Sequence, residues 1–393
     1  MPEPCDLTTS LRPHVLIDAR YAPKLRGGDR CRYELARFMA GQQEWNVSFL
    51  VYPHAVQQAC AWHTGASPII APFTPDQHPQ ADWYEHVTLP RLARQAGVDL
   101  YHGTFQTLPL RSPAPITVVT IQDMAVFAFP QAYSPRFVRY MRLWLGATIR
   151  RATQIIAPTM ATRSEIVRFY PEAEPRITVI MNGVGQEFLS AAELPEPRIA
   201  DVCHRLCVPR PYVLFVGSLE AKKNHRRLVE AFHRARVAGS LPHTLVIAGE
   251  RLDSVPDGGI TEAGAGPLVH FTGYVPEGDL PALYRGADLV AYPSLYEGFG
   301  MPVLEAMAAG VPVLTSSISS MPEVAGEAGM LVDPCDVDAI AQGLYRALTD
   351  HSWRQFAVQA GRKRALSLTW SENGRKTVEL YTELWNRHRR TVL

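Results

Sequence analysis

Two acidic residues, two glycines and a proline lie close together near the C-terminal end of the chain. The block reads Pro293-Ser294-Leu295-Tyr296-Glu297-Gly298-Phe299-Gly300-Met301-Pro302-Val303-Leu304-Glu305-Ala306-Met307-Ala308-Ala309-Gly310. Pro302 fits the first position of a helix, where its missing N–H is not needed, and Gly310 and Pro312 end that helix about two turns later. The pattern predicts the end of a strand, then a glycine loop, then the start of a helix.

The chemistry of this block suits a ligand that carries both a phosphate and a sugar. We expect the backbone N–H groups of Gly298, Phe299 and Gly300 to converge with the positive end of the helix dipole, which makes an anion site. Glu297 and Glu305, with seven residues between them, would repel an anion. We therefore expect these two carboxylates to accept hydrogen bonds from sugar hydroxyls, and the block predicts a nucleotide-sugar site.

A second loop that begins with a glycine carries two of the five lysines in the chain. It reads Gly217-Ser218-Leu219-Glu220-Ala221-Lys222-Lys223-Asn224 and lies between an apolar strand and a helical segment. Asn224 suits the N-cap of that helix, and a lysine beside a helix N-terminus can reach a diphosphate as a point charge. Solvated surface charges remain the alternative interpretation of Lys222 and Lys223.

Composition and charge limit the partners of the whole molecule. The chain has 393 residues, of which 47% are hydrophobic and 20% charged, as expected for a globular protein of two or three domains. Its 39 Lys and Arg residues nearly balance 38 Asp and Glu residues, which argues against nucleic acid or another polyanion as the partner.

Cysteine spacing and hydropathy indicate the compartment. The six cysteines fit no common zinc framework, so we expect reduced thiols and no metal site. Residues 1–20 lack an apolar stretch long enough for a signal peptide, and no run of ~18 apolar residues occurs. We expect a cytoplasmic protein whose membrane contact, where it has one, is peripheral and on the inner face.

Apolar runs alternate with amphipathic helical segments along the chain, which predicts parallel sheets covered by helices. The alternation restarts at Tyr212–Val216, so we expect an α/β protein with two doubly wound domains. The first domain would comprise residues 1–188 and the second 212–369, with the proline-rich segment 189–211 as the linker. A ligand is expected where the carboxyl ends of the strands meet.

The block from Pro293 to Gly310 resembles the E-x7-E signature of the retaining glycosyltransferases of family 4, which have two Rossmann-like domains facing a central cleft (the GT-B fold). The resemblance implies transfer of a hexose from a nucleotide diphosphate sugar to a hydroxyl acceptor with retention of the anomeric configuration. It also implies that the last helix, residues 370–393, packs back on the first domain. No acidic metal cluster accompanies the donor loop, so we expect backbone amides, helix dipoles and Lys223 to replace a divalent cation, with no cofactor.

The resemblance assigns the donor side residue by residue. Lys223 matches the lysine that contacts the donor pyrophosphate, Glu305 would hold the ribose hydroxyls, and Glu297 the donor sugar. Many members carry an arginine where this chain has Ser218, so Lys222 or Arg226 would supply the charge, or backbone amides would hold the leaving group. The full donor-binding set is Glu305, Gly298, Phe299, Gly300, Met301, Pro302, Val303, Ser218, Lys222, Gly249, Tyr274 and Val275, and the catalytic set is Glu297, Lys223 and Gln122.

On the acceptor side the resemblance points to three further residues. Gln122 stands where relatives usually carry histidine; an amide can position a sugar but cannot titrate, and the leaving phosphate would take the acceptor proton. Asp123 would orient Gln122 or the acceptor, or cap a helix. Gly28 would allow the backbone to come close to the sugar and the acceptor. Asn182 would line the cleft, although the pair Asn182-Gly183 is also a natural tight turn.

The segment Ser134–Arg151 predicts a basic helix with five arginines and no acid. Such a helix could lie on anionic lipid or guide a lipid-diphosphate acceptor. The alternative is a helix packed on the core by its apolar face, with the arginines in solvent.

The form of the lysine loop resembles that of bacterial mannosyltransferases that build surface polysaccharides, including lipopolysaccharide. GDP-mannose is therefore the favoured donor, a UDP-sugar the next, and a lipid-linked saccharide or polysaccharide the favoured acceptor. Two other functions stay open. One is a nucleotide-sugar epimerase on the same fold; the other is a non-catalytic scaffold in a polysaccharide assembly complex, which Ser218, Gln122 and the altered Gly27–Cys31 loop favour and the intact E-x7-E block opposes.

Overall fold

The computed structural model describes residues 12–21, 27–62, 68–74, 80–250 and 266–392. Cys5 and most of the segment 1–20 examined for a signal peptide lie outside the described residues. Contacts divide the chain into two compact units. The first unit contains residues 1–120, 147–156 and 374–393, and the second unit contains residues 121–146 and 157–373.

The first unit is built on six parallel strands in its described residues, in the order β3-β2-β1-β4-β5-β6. The strands are β1 (His14–Asp18), β2 (Asn46–Val51), β3 (Ile69–Ile70), β4 (Leu100–Gly103), β5 (Ile116–Thr120) and β6 (Gln154–Ala157). The helices between them are α1 (Gly28–Ala40), α2 (Val56–Trp62), α3 (Gln80–Trp83) and α4 (Leu89–Gln95).

The second unit opens with segments that precede its sheet. These are α5 (Ala125–Ala128), α6 (Pro135–Arg151, of which residues 147–151 are counted in the first unit), α7 (Met160–Phe169), β7 (Ile177–Val179), α8 (Gln186–Ala191) and α9 (Glu196–Arg205).

The sheet of the second unit repeats the same topology, with six parallel strands in the order β10-β9-β8-β11-β12-β13. Its strands are β8 (Tyr212–Val216), β9 (Thr244–Ala248), β10 (Val269–Gly273), β11 (Leu289–Tyr292), β12 (Val313–Ser316) and β13 (Gly329–Val332). Its helices are α10 (His225–Gly239), α11 (Leu280–Arg285), α12 (Met301–Ala308), α13 (Met321–Ala325), α14 (Val337–Thr349), α15 (His351–Ser367) and α16 (Trp370–Val392), and α16 is counted in the first unit from Gly374 onward. The two parallel sheets covered by helices confirm the predicted α/β class of two Rossmann-like domains.

The central strands show why this sequence forms a parallel sheet. Residues 212–215 of β8 and 289–291 of β11 are completely buried. Uninterrupted apolar strands are typical of parallel sheets that helices cover on both faces. Each buried Val, Leu or Phe among them contributes about 1.5–3 kcal/mol relative to an exposed one, so these strands fix the position of the loops that follow them.

The segment predicted as an irregular linker contains helix α9, which packs into the core of the second unit. Ile199, Val202 and Cys203 of this helix are buried in that core. Pro195 lies at the N-cap and Pro197 in the first turn, where proline is tolerated because those N–H groups have no partner within the helix. Two of the four prolines that indicated a linker therefore mark the start of a helix.

Two further sequence predictions concern thiols and membrane spans. The five described cysteines, Cys31, Cys60, Cys203, Cys207 and Cys335, are all free thiols. Within the described ranges, every helix is too short or too polar to cross a bilayer.

We predict that Val202→Ala destabilises the protein whereas Val237→Ala does not. Val202 in α9 is completely buried, and Val237 in α10 is 81% exposed. Removing buried methyl groups should lower the free energy of unfolding by about 1–3 kcal/mol, and the same change at the surface should alter it by less than about 0.5 kcal/mol. Urea unfolding followed by circular dichroism measures both, and equal midpoints for the two variants would show that α9 is not part of the core.

Candidate functional site

The site is positioned by the reversal of strand order between β8 and β11 in the second unit. These strands are neighbours in the sheet, but the chain leaves them toward opposite sides, since β9 and β10 lie beyond β8 and β12 and β13 beyond β11. Loops that follow such a pair leave a crevice at the carboxyl edge of the sheet, where ligands of doubly wound folds bind. The loop after β8 (residues 217–224, the lysine loop) and the loop after β11 (residues 293–300, the glycine loop) meet at this edge.

Backbone and side-chain hydrogen bonds join the two loops. The N–H of Leu295 donates to the carbonyl of Lys222 at 2.8 Å. Asn224, which is buried, donates from Nδ2 to the carbonyl oxygens of Pro293 at 2.9 Å and Pro334 at 2.7 Å. The predicted role of Asn224 is therefore wrong in part: the residue lies at the N-cap of α10 in a left-handed conformation (φ 63°), but its side chain makes no capping hydrogen bond. It joins three loops instead.

The glycine loop has the predicted sequence of strand end, loop and helix start. Strand β11 ends at Tyr292, α12 begins at Met301, and Pro302 lies in the first turn. Gly300 precedes the helix with φ 100°, a left-handed conformation that favours glycine. The loop therefore presents the N-terminus of α12 at the carboxyl edge of the sheet.

Side-chain hydroxyls bind the carbonyl groups of the glycine loop. Ser319 and Ser320 donate to the carbonyl of Glu297 at 2.6 and 2.9 Å, and Thr159 and Thr162 donate to that of Gly298 at 2.9 and 3.2 Å. Ser320 also donates to the carbonyl of Phe299 at 2.9 Å.

Three N–H groups of the same loop remain open to a ligand. Among the described residues, those of Gly298, Phe299 and Gly300 donate to no protein acceptor. Free amides at a helix N-terminus attract an anion, so the loop has the donors expected of a phosphate site.

A largely buried ion pair, whose side chains are 12% and 10% exposed, connects the two loops. The Lys223 ammonium lies 2.5 Å from Oε1 of Glu297 and donates to the Tyr292 hydroxyl at 2.7 Å. The hydroxyls of Tyr292 and Ser294 donate to the same Oε1 at 2.9 and 3.1 Å. Three groups thus orient one oxygen of the carboxylate, whose other oxygen, Oε2, accepts no hydrogen bond from the described residues.

Each member of this pair holds the other in its charged form. Burial raises the pKa of Glu297, but the charges of Lys223 and Lys222 outweigh it and the pKa is lowered. Burial lowers the pKa of Lys223, but Glu297 and Glu220 outweigh it and the pKa is raised. Both groups are therefore charged at neutral pH.

Lys222 is a second cation with weaker partners. Its side chain is 12% exposed, and its ammonium lies 3.4 Å from Oε2 of Glu220 and 3.5 Å from the Tyr133 hydroxyl. Glu220 also accepts a hydrogen bond from Ser218. Arg226, the other candidate for replacing the missing arginine, is exposed.

The remaining donor-side residues lie along the same edge of the sheet. Glu305 in α12 is buried, and its Oε2 accepts from the Tyr284 hydroxyl at 2.8 Å. Gly249 follows β9 so closely beside the lysine loop that a Cβ there would overlap the carbonyl of Gly217. Tyr274 and Val275 follow β10; Tyr274 is half-buried and Val275 is buried. In the glycine loop and the first turn of α12, Phe299 and Val303 are buried, whereas Met301 and Pro302 are half-buried.

Two of the acceptor-side residues contact each other beside the glycine loop, and a third lies next to them. Asn182 donates from Nδ2 to Oε1 of Gln122 at 3.1 Å. A Cβ on Gly298 would overlap the carbonyl oxygen of Gln122 and lie 2.8 Å from the Cβ of Asp123. Asp123 accepts from the N–H of Ala125, the first residue of α5, at 2.9 Å; the N-cap residue of that helix is Met124. Gly28 belongs to the first unit, where it begins α1 and a Cβ would overlap the ring of Phe105.

Sequence reasoning missed the residues that support the loop. In the sequence, Tyr292 is recognisable only as the last residue of an apolar strand. Tyr296 is recognisable only as a member of the block from Pro293 to Gly310. Tyr296 donates to Oε2 of Glu165 at 2.5 Å and accepts from the N–H of Met124 at 2.9 Å. Because its partners are 131 and 172 residues away in the chain, no local pattern could identify them.

Comparison with known proteins identifies the family. The family model described as Glycosyltransferase Family 4 matches residues 25–188, and that described as Glycosyl transferases group 1 matches residues 205–364. The O-antigen chain mannosyltransferase B of Escherichia coli is 33% identical over 288 residues, which cover 72% of this chain and 74% of that protein.

Solved structures show the same fold. A glycosyltransferase from Rickettsia africae superposes with a TM-score of 0.70 at 17% identity, over 95% of this chain and 99% of that chain. HepE of Anabaena in complex with UDP and glucose superposes with a TM-score of 0.69 at 17% identity, over 94% of this chain and 100% of that chain. The predicted resemblance is thus confirmed: the chain belongs to the group 1 glycosyl transferases of family 4, and it is a glycosyltransferase with the GT-B fold.

Proposed function

We propose that the enzyme transfers mannose from GDP-mannose to a hydroxyl of a lipid-linked saccharide or growing polysaccharide, with retention of the anomeric configuration and without a metal or other cofactor. The observation that carries this proposal is the arrangement of the glycine loop, which combines unpartnered amides with a charged, oriented carboxylate. An anion site next to a hydrogen-bond acceptor suits a diphosphate attached to a sugar.

The diphosphate would be bound by the amides of the glycine loop and by the two lysines. An ammonium group has three N–H donors, and Lys223 uses two of them on Glu297 and Tyr292. The third remains for a phosphate oxygen. Lys222, held less closely by its partners, would add the second cation that Ser218 does not supply. Fixed donors of this kind stabilise a departing diphosphate without reorganisation.

The carboxylate of Glu297 would bind the donor sugar through Oε2, since Oε1 is occupied by protein donors. Gln122 with Asn182 would position the sugar next to it, and Asp123 would orient the acceptor. Gln122 cannot act as a base, so the leaving phosphate would take the proton of the acceptor hydroxyl. Glu305 would hold the ribose, with Tyr274 and Val275 near the base.

The choice of mannose rests on two similarities. The lysine loop resembles that of bacterial mannosyltransferases, and the E. coli relative at 33% identity is named for O-antigen chain mannosyl transfer. An O-antigen chain is a polysaccharide, which supports a saccharide or lipid-linked acceptor. A UDP-sugar is the next donor, because a structural relative is solved with UDP and glucose.

We further propose that the enzyme works at the cytoplasmic face of the membrane, with α6 against anionic lipid. Arg136 and Arg139 are exposed on this helix, together with Phe137 (44%), Tyr140 (41%) and Leu143 (70%). Residues three and four apart share a helix face, so cations and apolar side chains point outward together. This combination suits the headgroup region of a bilayer better than bulk water.

We expect GDP to raise the midpoint of thermal unfolding more than UDP, ADP, TDP or CDP does. A nucleotide at about 100 times its Kd adds about 2.7 kcal/mol to the free energy of unfolding. Differential scanning fluorimetry at matched saturating concentrations, repeated with EDTA, measures the shift and its independence of metal. If another nucleotide raised the midpoint of unfolding the most, the donor assignment would change. If none of the five nucleotides raised it, the non-catalytic scaffold would be favoured.

Glu297→Gln and Lys223→Ala should each lower the rate of transfer from labelled GDP-mannose by about 10²–10³-fold, because each removes one charge from the reacting centre. Glu193→Gln and Lys363→Ala change the same residue types at exposed positions of the second unit and should keep full activity. Proton NMR of the product should show the α configuration of the donor. Unchanged rates in both site variants would rule out the proposed site.

Reversal of two cations on α6 should weaken membrane binding. Two arginines near an anionic surface contribute about 1 kcal/mol each, so R136E/R139E should lower partition into vesicles of phosphatidylcholine and phosphatidylglycerol by more than about tenfold. The control R91E/R94E changes an exposed pair with the same spacing on α4. Equal co-sedimentation of the two variants, or equal binding to pure phosphatidylcholine, would exclude this role of α6.

A further inference from the structure

One face of helix α7 contacts the glycine loop through three side chains. Thr159, Thr162 and Glu165 are spaced by three residues and so lie on one side of the helix and its cap. The two threonines donate to the carbonyl of Gly298 at 2.9 and 3.2 Å, and the carboxylate of Glu165 accepts from the Tyr296 hydroxyl at 2.5 Å. The face therefore binds the residues immediately before and after Glu297.

The Tyr296 hydroxyl extends this contact to the turn that carries Gln122. It accepts a hydrogen bond from the N–H of Met124 at 2.9 Å while it donates to Glu165. Tyr296 is buried, so water does not compete with these two bonds. A chain of hydrogen bonds thus runs from Glu165 of α7 through Tyr296 of the glycine loop to Met124, two residues after Gln122.

Helix α7 is itself fixed at its N-terminus. Thr159 caps the helix by accepting from the N–H of Thr162 at 3.1 Å. The carboxylate of Glu323 accepts from the N–H groups of Met160 at 2.8 and 2.9 Å and Ala161 at 3.3 Å, where a negative charge also interacts favourably with the helix dipole. The face of α7 is therefore a rigid support for the glycine loop.

Glu165 is a half-buried carboxyl group beside the Tyr296 hydroxyl. Burial raises its pKa, the hydrogen bond from Tyr296 lowers it, the negative charge of Asp123 raises it again, and the net shift is upward. The charge of Arg168 also lowers the pKa of Glu165, but no cation lies within ion-pair distance of it among the described residues. A half-buried carboxyl group without an ion-pair partner adds little to stability, so a role in the geometry of the site is the better account of it.

We propose that Glu165 is a positioning residue for glycosyl transfer, acting through Tyr296 to hold Glu297 and Gly298 at the distance from Gln122 that the reaction needs. The inference rests on the proposed function, since it concerns the same site. Misplacement of a reacting group by about 1 Å can cost about 10²-fold in rate. Glu165 does not reach the ligand itself; its effect passes through the loop.

The test compares Glu165→Ala with Glu165→Gln in transfer from GDP-mannose. The amide oxygen of glutamine can still accept from Tyr296, whereas alanine cannot. We expect Glu165→Ala and Tyr296→Phe each to lower kcat by about 10–100-fold, with the KM for the donor changed less than about threefold. Glu165→Gln should keep kcat within about threefold of wild type. The double variant Glu165→Ala/Tyr296→Phe should be no slower than the slower single variant, because both remove one interaction.

Glu174→Ala serves as the matched control. Glu174 is 55% exposed and pairs with Arg163 of α7 at 2.8 Å, so its removal perturbs the helix without touching the loop, and kcat should stay at the wild-type value. Thermal unfolding with saturating GDP verifies that each variant is folded and binds nucleotide.

Three results would overturn the inference. Wild-type kcat in Glu165→Ala would show that the loop does not need this support, and an equally impaired Glu165→Gln would show that the loss is not that of a hydrogen-bond acceptor. A wild-type enzyme that neither binds a nucleotide diphosphate nor transfers sugar would overturn the proposed function, and this inference with it.

Discussion

The reversal of strand order between β8 and β11 is the constraint on which the site depends. It brings two loops from distant parts of the sequence to one edge of the sheet, where Lys223 and Glu297 form a buried ion pair. Neither charge would be tolerated there alone, because a buried charge without its partner costs several kcal/mol. The topology supplies the meeting point, and the pair then fixes which atoms face a ligand.

The parts of the site that could be predicted from sequence are those with local causes. The order of strand, loop and helix around Gly298 follows from an apolar run, glycines and a proline in the first helical turn, all within a few residues. The same holds for the alternation that indicated two parallel sheets. Resemblance to a family added proposed roles for individual residues, which periodicity alone could not assign.

The parts that could not be predicted depend on partners far away in the chain. Asn224 has the residue type of an N-cap, but its amide binds carbonyl groups 69 and 110 residues away, and those bonds compete successfully with capping. Helix α9 was not predicted because Pro195 and Pro197 indicate an irregular segment, although proline is also compatible with the first turn of a helix. Glu165 carries no motif at all, and only the folded chain places it against Tyr296.

Ser218 stands where many family members carry an arginine, and the distribution of charge in the site bears on this difference. The described lysine and glycine loops contain two cations and two carboxylates, so side chains alone give little net attraction for a diphosphate. Under the proposed function, the attraction for a diphosphate would come from the amides of the glycine loop and from the two lysine ammonium groups. Lys223 lies 2.5 Å from Glu297, whereas Lys222 lies 3.4 Å from Glu220. Burial and Lys223 lower the pKa of Lys222, but the charges of Glu297 and Asp123 outweigh them and the pKa is raised. Both lysines are therefore offset by carboxylates, and in the proposed function the amides of the glycine loop would supply much of the attraction that position 218 lacks.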